Sequence, residues 1–210
     1  MNILIRRYCD AEDVETAALN CLIDNNIQRL PIPISKICRM YGGKVINNSD
    51  EHNPLKLKKG ESGRVYVIHG SPLVIVNDKE PVPRIRYTIA HELGHFLLGH
   101  LGNDIDNLNR EYKNIKPIKE SEADSFAARL LAPAYILMGL NIHTPQEISV
   151  FCNISMASAK IVARDLNKRY KNDDFLINDY EVKLYENFKP WIDKAMDILG
   201  RRDYQYAEKR

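Results

Sequence analysis

The chain has no apolar run close to the ~18 residues that a membrane-spanning helix needs, and its first residues lack the apolar core of a secretory signal. Both absences point to a cytoplasmic protein. There is no C-x-x-C pair either: Cys9, Cys21, Cys38 and Cys152 are scattered. Each cysteine is expected to pack as a small, semi-buried hydrophobe in a reducing compartment. Charge of one sign is also missing. The net charge is +2 with 28% charged residues, so no basic field argues for nucleic acid or a membrane surface. Internal repeats and low-complexity tracts are absent. What remains is 210 residues, enough for one large domain or one domain with a helical appendage.

Apolar periodicity divides the chain. Val14, Ala17, Ala18, Cys21 and Leu22 predict a helix within Asp10–Asn25. Pro31-Ile32-Pro33 breaks it, and Ile34–Tyr41 predicts a second, stopped by Gly42-Gly43. The segments Lys44–Asn47, Gly63–His69 and Leu73–Asn77 predict a small antiparallel sheet, with a turn at Gly70-Ser71-Pro72 and a mobile polar loop over Asn48–Lys59. Pro81 and Pro83 suit the start of the next helix. A polar loop follows at Leu101–Lys119, then helices over Ser121–Leu131, Pro145–Cys152 and Met156–Tyr170. Val182, Tyr185, Phe188 and Ile192 predict a last helix or two, with Trp191 as a buried anchor. The expected fold class is α+β, divided into a domain over residues 1–135 and a helical C-terminal region over 136–210.

The motif helix contains RYTIAHELGHFLLGH, residues 86–100, and within it the pattern H-E-x-x-H. His91 and His95, four apart, project from one helical face and can ligate one zinc ion, with Glu92 as general base. The plain alternative is two structural histidines with no metal. A catalytic zinc needs a third protein ligand. One known pattern puts a histidine six residues after the second, but Leu101 stands there. His100 lies one residue short and well round the helix, which suits a C-terminal cap or surface group better than a ligand. The downstream segment KESEADSFAARLLAP offers Glu120 as ligand and Asp124, one turn on, as acceptor for a ligand imidazole. Glu122 is a reserve ligand or a solvent-exposed charge. Without the upstream motif these acids would be an ordinary acidic first turn on a helix dipole. Ala123, Ala127 and Ala128 would let this helix pack closely on the motif helix.

These two blocks resemble the ImmA/IrrE family of zinc metallopeptidases, which typically shows RFT-AHELGH followed by E-x-E-A-x-x-F-A-x-x-L-L-M-P. Tyr87 stands here for the usual Phe and Ala132 for the usual Met. The resemblance covers about residues 30–166. It implies a Zn²⁺ enzyme in which His91, His95 and Glu120 hold the metal and Glu92 is catalytic. It further implies a cytoplasmic regulator of a phage, mobile element or stress regulon that cleaves, or acts beside, a helix-turn-helix repressor. An oxyanion stabiliser is left open between Tyr112 and His143.

Thr144-Pro145-Gln146-Glu147 forms a capping box, and Ile148, Cys152, Ile154, Ala159 and Val162 suit the core of a helix-turn-helix over residues 144–170. This supports an alternative: a non-proteolytic regulator that binds DNA or a repressor through its C-terminal helices. Ser155, Met156, Ser158 and Lys160 make a weakly basic recognition face, which disfavours direct DNA binding.

Overall fold

Among the described residues, two helices and then three strands precede the H-E-x-x-H helix, which packs against the small sheet those strands form. The computed structural model describes residues 13–101, 117–176 and 178–200. The chain divides into two compact units, Met1–Ala18 with Pro33–Ala127, and Leu19–Ile32 with Ala128–Arg210.

Helix α1, Val14–Asp24, starts where the Asp13 carboxylate accepts the Thr16 N–H at 2.7 Å, an N-cap that satisfies an otherwise orphaned donor. The expected residues 10–12 of this helix lie outside the described residues. In the first unit, α2, Ile34–Met40, follows Pro33 and buries Ile34, Ile37 and Cys38. Strands β1, Lys44–Asn47, β2, Gly63–Ile68, and β3, Ser71–Val76, form one sheet in the order β1-β3-β2.

The sheet is mixed rather than wholly antiparallel: β2 and β3 pair antiparallel, but β1 runs parallel to β3. The long 48–62 connection carries the chain past the place that β3 later fills between the other two strands. The hairpin turn is His69-Gly70, one position before the expected one, because Ile68 already pairs with Ser71. Both turn residues have positive φ, +49° and +78°, as the two-residue turn that matches strand twist requires. β3 is therefore the central strand. The segment Leu73–Asn77, expected as a strand, thus supplies no sheet edge, and the edges are β1 and β2. The expected mobile loop after β1 is internally bonded: the Asp78 carboxylate accepts from Ser49 N–H and Oγ at 3.0 and 2.6 Å, and Asn48 Oδ1 accepts Leu57 N–H at 2.8 Å.

Helix α3, Val82–Leu97, opens on Pro81 with a second proline in its first turn and packs against β2 and β3. It buries Ile89, Ala90, Leu93, Phe96 and Leu97, an apolar stripe at helical spacing. Helix α4, Pro117–Leu131, begins earlier than the periodicity predicts, taking in residues assigned to the preceding loop. Residues 102–116 of that loop lie outside the described residues.

Gly94 sets how closely α3 and α4 meet. A Cβ at this position would lie 3.1 Å from Phe126 Cδ1 and 3.4 Å from the Ala123 backbone. Gly94→Val is expected to destabilise by about 1–3 kcal/mol through overpacking. Gly94→Ala stays within about 1 kcal/mol, because its gain in helix propensity offsets the tight fit. Urea unfolding midpoints of the two variants check this, and equal midpoints for Val and wild type would remove the close-approach argument.

In the second unit, α5, Ala134–Gly139, is entirely buried, a helix that the periodicity did not single out after Pro133. Helix α6, Pro145–Cys152, carries the capping box with both reciprocal bonds, and α7, Met156–Asn172, is capped by Ser155. Asn153 occupies the left-handed turn between them at φ +51°. The buried faces use Ile148, Cys152, Ile154, Ala159 and Ala163; Val162 is only half-buried, one position off the predicted core. Helix α8, Asp179–Leu199, is a single helix with Pro190 inside it; it packs on α5 and buries Leu184, Phe188 and Ile192. Trp191 is half-buried, edge-to-face with Phe151 and Phe188. Cys21, Cys38 and Cys152 are buried free thiols, and burial pushes the Cys38 thiol up to about 11, so it packs as a hydrophobe. Cys9 is outside the described residues. Among the described residues no helix is long and apolar enough to cross a membrane.

Candidate metal centre

The helical pitch of α3 stacks His91 and His95 on one face, and α4 brings Glu120 to them from 25 residues beyond His95. The Nε2 atoms of the two imidazoles are 3.0 Å apart. Glu120 Oε2 is 3.3 Å from His91 Nε2, and its Oε1 is 3.5 Å from His95 Nε2. Tetrahedral ligands about 2.0–2.1 Å from a zinc ion lie roughly 3.3 Å from one another. These three groups therefore have the spacing of ligands to one ion, and among the described residues they form the single such cluster of His, Cys, Asp and Glu. His95 is 1% exposed at its side chain and Glu120 45%, so the cluster is open on the carboxylate side.

Both imidazoles turn their second nitrogen to a partner. His91 Nδ1 is 2.8 Å from Asp124 Oδ1, which suits an Nδ1–H donating to the carboxylate and leaves the Nε2 lone pair toward Glu120. The Tyr87 hydroxyl donates to the same Asp124 oxygen at 2.7 Å. Burial, with the adjacent carboxylate, raises the Tyr87 pKa well above the usual phenol range and keeps it a donor. The hydroxyl is the one atom by which Tyr87 differs from the Phe of the resembled block, and no sequence pattern singled it out.

His95 Nδ1 meets His100 Nδ1 at 3.0 Å, and His100 Nε2 lies 3.2 Å from Glu122 Oε2. Burial, reinforced by the neighbouring His91 and His100, pushes the His95 pKa down to about 3, so it is neutral at physiological pH, the form a metal requires. Burial lowers His100 as well. Glu122 is thus spent on His100 and is not in the three-residue cluster. His100 does cap the helix through its backbone, but its side chain is 6% exposed and not a surface group.

Glu92 follows His91 in α3 and is buried at 6% exposure. Of the two oxyanion candidates, Tyr112 lies outside the described residues. His143 belongs to the second unit, where its Nε2 is 2.7 Å from Asn141 Oδ1 and its ring packs on Tyr170.

Residues 52–141 match the Peptidase M78 family, the IrrE N-terminal-like domain. The resemblance to ImmA/IrrE is borne out over that span, which supports a metallopeptidase family. The α+β class is likewise borne out, with its possible metal site of two helix histidines and a downstream glutamate. No curated protein matches the sequence significantly. A solved structure of a Mycobacterium tuberculosis transcriptional regulator is similar, with 13% identity and a TM-score of 0.46, over 74% of this chain and 48% of that one. The chain spans about half the length of that regulator.

Proposed function

We propose that the protein is a zinc-dependent endopeptidase that cleaves a regulatory protein in the cytoplasm, with a helix-turn-helix repressor of a phage, mobile element or stress regulon as substrate. The observation that carries this reading is the convergence of His91, His95 and Glu120 at ligand spacing within the matched peptidase domain. Two imidazoles and one carboxylate are a donor set suited to zinc, and three protein ligands leave a fourth position open. A bound zinc ion supplies Lewis acidity, which acidifies water and polarises a carbonyl.

The chain's own residues do the rest. Glu92 accepts a proton from the attacking water and returns it to the leaving amine. Asp124 fixes the His91 tautomer and is itself held by Tyr87. The exposed side of Glu120 admits a polypeptide, and the edge strand β2, packed on α3, gives an extended substrate a place to add main-chain hydrogen bonds. The packed pair α6–α7, with its capping box and weakly basic outer face, serves to dock the repressor rather than DNA.

The test is cleavage of a purified helix-turn-helix repressor, chosen from the genomic neighbourhood, with metal-free and zinc-loaded protein. Cleavage with zinc, lost on chelation and restored by adding zinc back, is the expected result. An intact repressor that nevertheless binds the zinc-loaded protein would favour the non-proteolytic regulator.

A further inference from the structure

The turn that ends α3 has a geometry that selects what stands over His95. Gly99 adopts a positive φ of +71°, its N–H donates to Phe96 O at 3.3 Å, and the His100 N–H donates back to His95 O at 3.0 Å. This is the paired bonding of a Schellman cap, which folds the residue after the glycine onto the residue five before it. In most such caps that contact is apolar. Here it is an imidazole on an imidazole, with ring centroids 5.1 Å apart at 68°. The cap is also tied to α4, because Lys119 Nζ donates to His100 O at 3.2 Å.

We propose that His100 and Glu122 are positioning residues that fix the tautomer and ring orientation of His95 through a two-bond relay. His95 Nδ1–H donates to His100 Nδ1, and His100 Nε2–H donates to Glu122 Oε2. Burial favours a neutral His100, and with that ring neutral the two contacts allow one consistent placement of protons. Glu122 as a carboxylate can only accept, so His100 must carry its proton on Nε2. Its Nδ1 is then an acceptor, so His95 must carry its proton on Nδ1, and the His95 Nε2 lone pair is turned toward His91 and Glu120. The same task that Asp124 performs directly for His91 is performed for His95 through an intervening imidazole. His95 Nδ1 faces His100 rather than an acid, and the buried His100 bridges from it to Glu122, 41% exposed. The inference rests on the metal-site reading of the preceding section.

Two measurements on the full chain separate the inference from that reading. In the metal-free protein, long-range ¹H–¹⁵N spectra should show His95 as the Nδ1–H tautomer. His100→Phe, which keeps a ring and removes both nitrogens, should shift His95 toward a tautomer mixture. Glu122→Gln, a half-exposed change that leaves the core untouched, should give a smaller shift in the same direction. In zinc competition with a chromophoric chelator, His100→Phe should bind about 10–100-fold more weakly. Glu122→Gln should lose less, and the double variant should be no weaker than His100→Phe alone, as members of one chain behave. An unchanged His95 tautomer with unchanged zinc affinity in both variants would overturn the relay, as would fully additive losses. Failure of the wild type itself to bind zinc would instead sink the metal-site reading, while the tautomer spectra would still decide the relay.

Discussion

Replacing Glu92 by Gln should leave zinc content at the wild-type level and lower kcat/KM for peptide hydrolysis by about 10²–10⁴-fold. Gln keeps the size and the hydrogen-bonding reach of the side chain but cannot take a proton from water. Glu92 is buried on α3 beside His91, while the ligand cluster consists of His91, His95 and Glu120. The substitution therefore separates proton transfer from metal binding. The check is a steady-state assay on a cleaved repressor, with metal content measured on the same sample. Retained activity in a zinc-loaded Gln variant would remove Glu92 from the proton path. A loss of zinc together with activity would make its role structural.

The second large effect concerns Glu120. Zinc at about a thousand times its dissociation constant stabilises the folded state by roughly 4 kcal/mol, which for a chain of this size raises the unfolding midpoint by about 10 °C. Glu120→Ala leaves two imidazoles and no carboxylate, so most of that metal-dependent rise should vanish. The metal-free midpoint should change by less than about 2 °C, since the Glu120 side chain is 45% exposed. Thermal scans of chelated and zinc-saturated protein, wild type and variant, measure both quantities. A full zinc-dependent rise in Glu120→Ala would reassign the third ligand.

The parts of this protein legible in the sequence are those fixed over a few residues. His91 and His95 share a face because an α-helix repeats every 3.6 residues, and Leu93, Phe96 and Leu97 mark that helix as packed. The capping box at Thr144–Glu147 was legible for the same reason, as two reciprocal bonds span only four residues. Glu120 was favoured over Glu122 because it lies one helical turn from Asp124, and the family resemblance agreed, but spacing alone could not place either acid against the histidines.

Packing across distance decided the rest. Gly94 against Ala123 and Phe126 sets the approach of α4 to α3, and that approach directs Glu120 to the two Nε2 atoms, Asp124 to His91 and Glu122 to His100. Periodicity cannot place β3 in the middle of the sheet either, because alternation specifies a strand but neither its neighbours nor their direction. His100 shows the boundary between the two. As the next step along a continuing helix it would point away from His95. The left-handed turn at Gly99 reverses the chain, and only that reversal, closed by α4, makes a histidine five residues away the neighbour of a metal ligand.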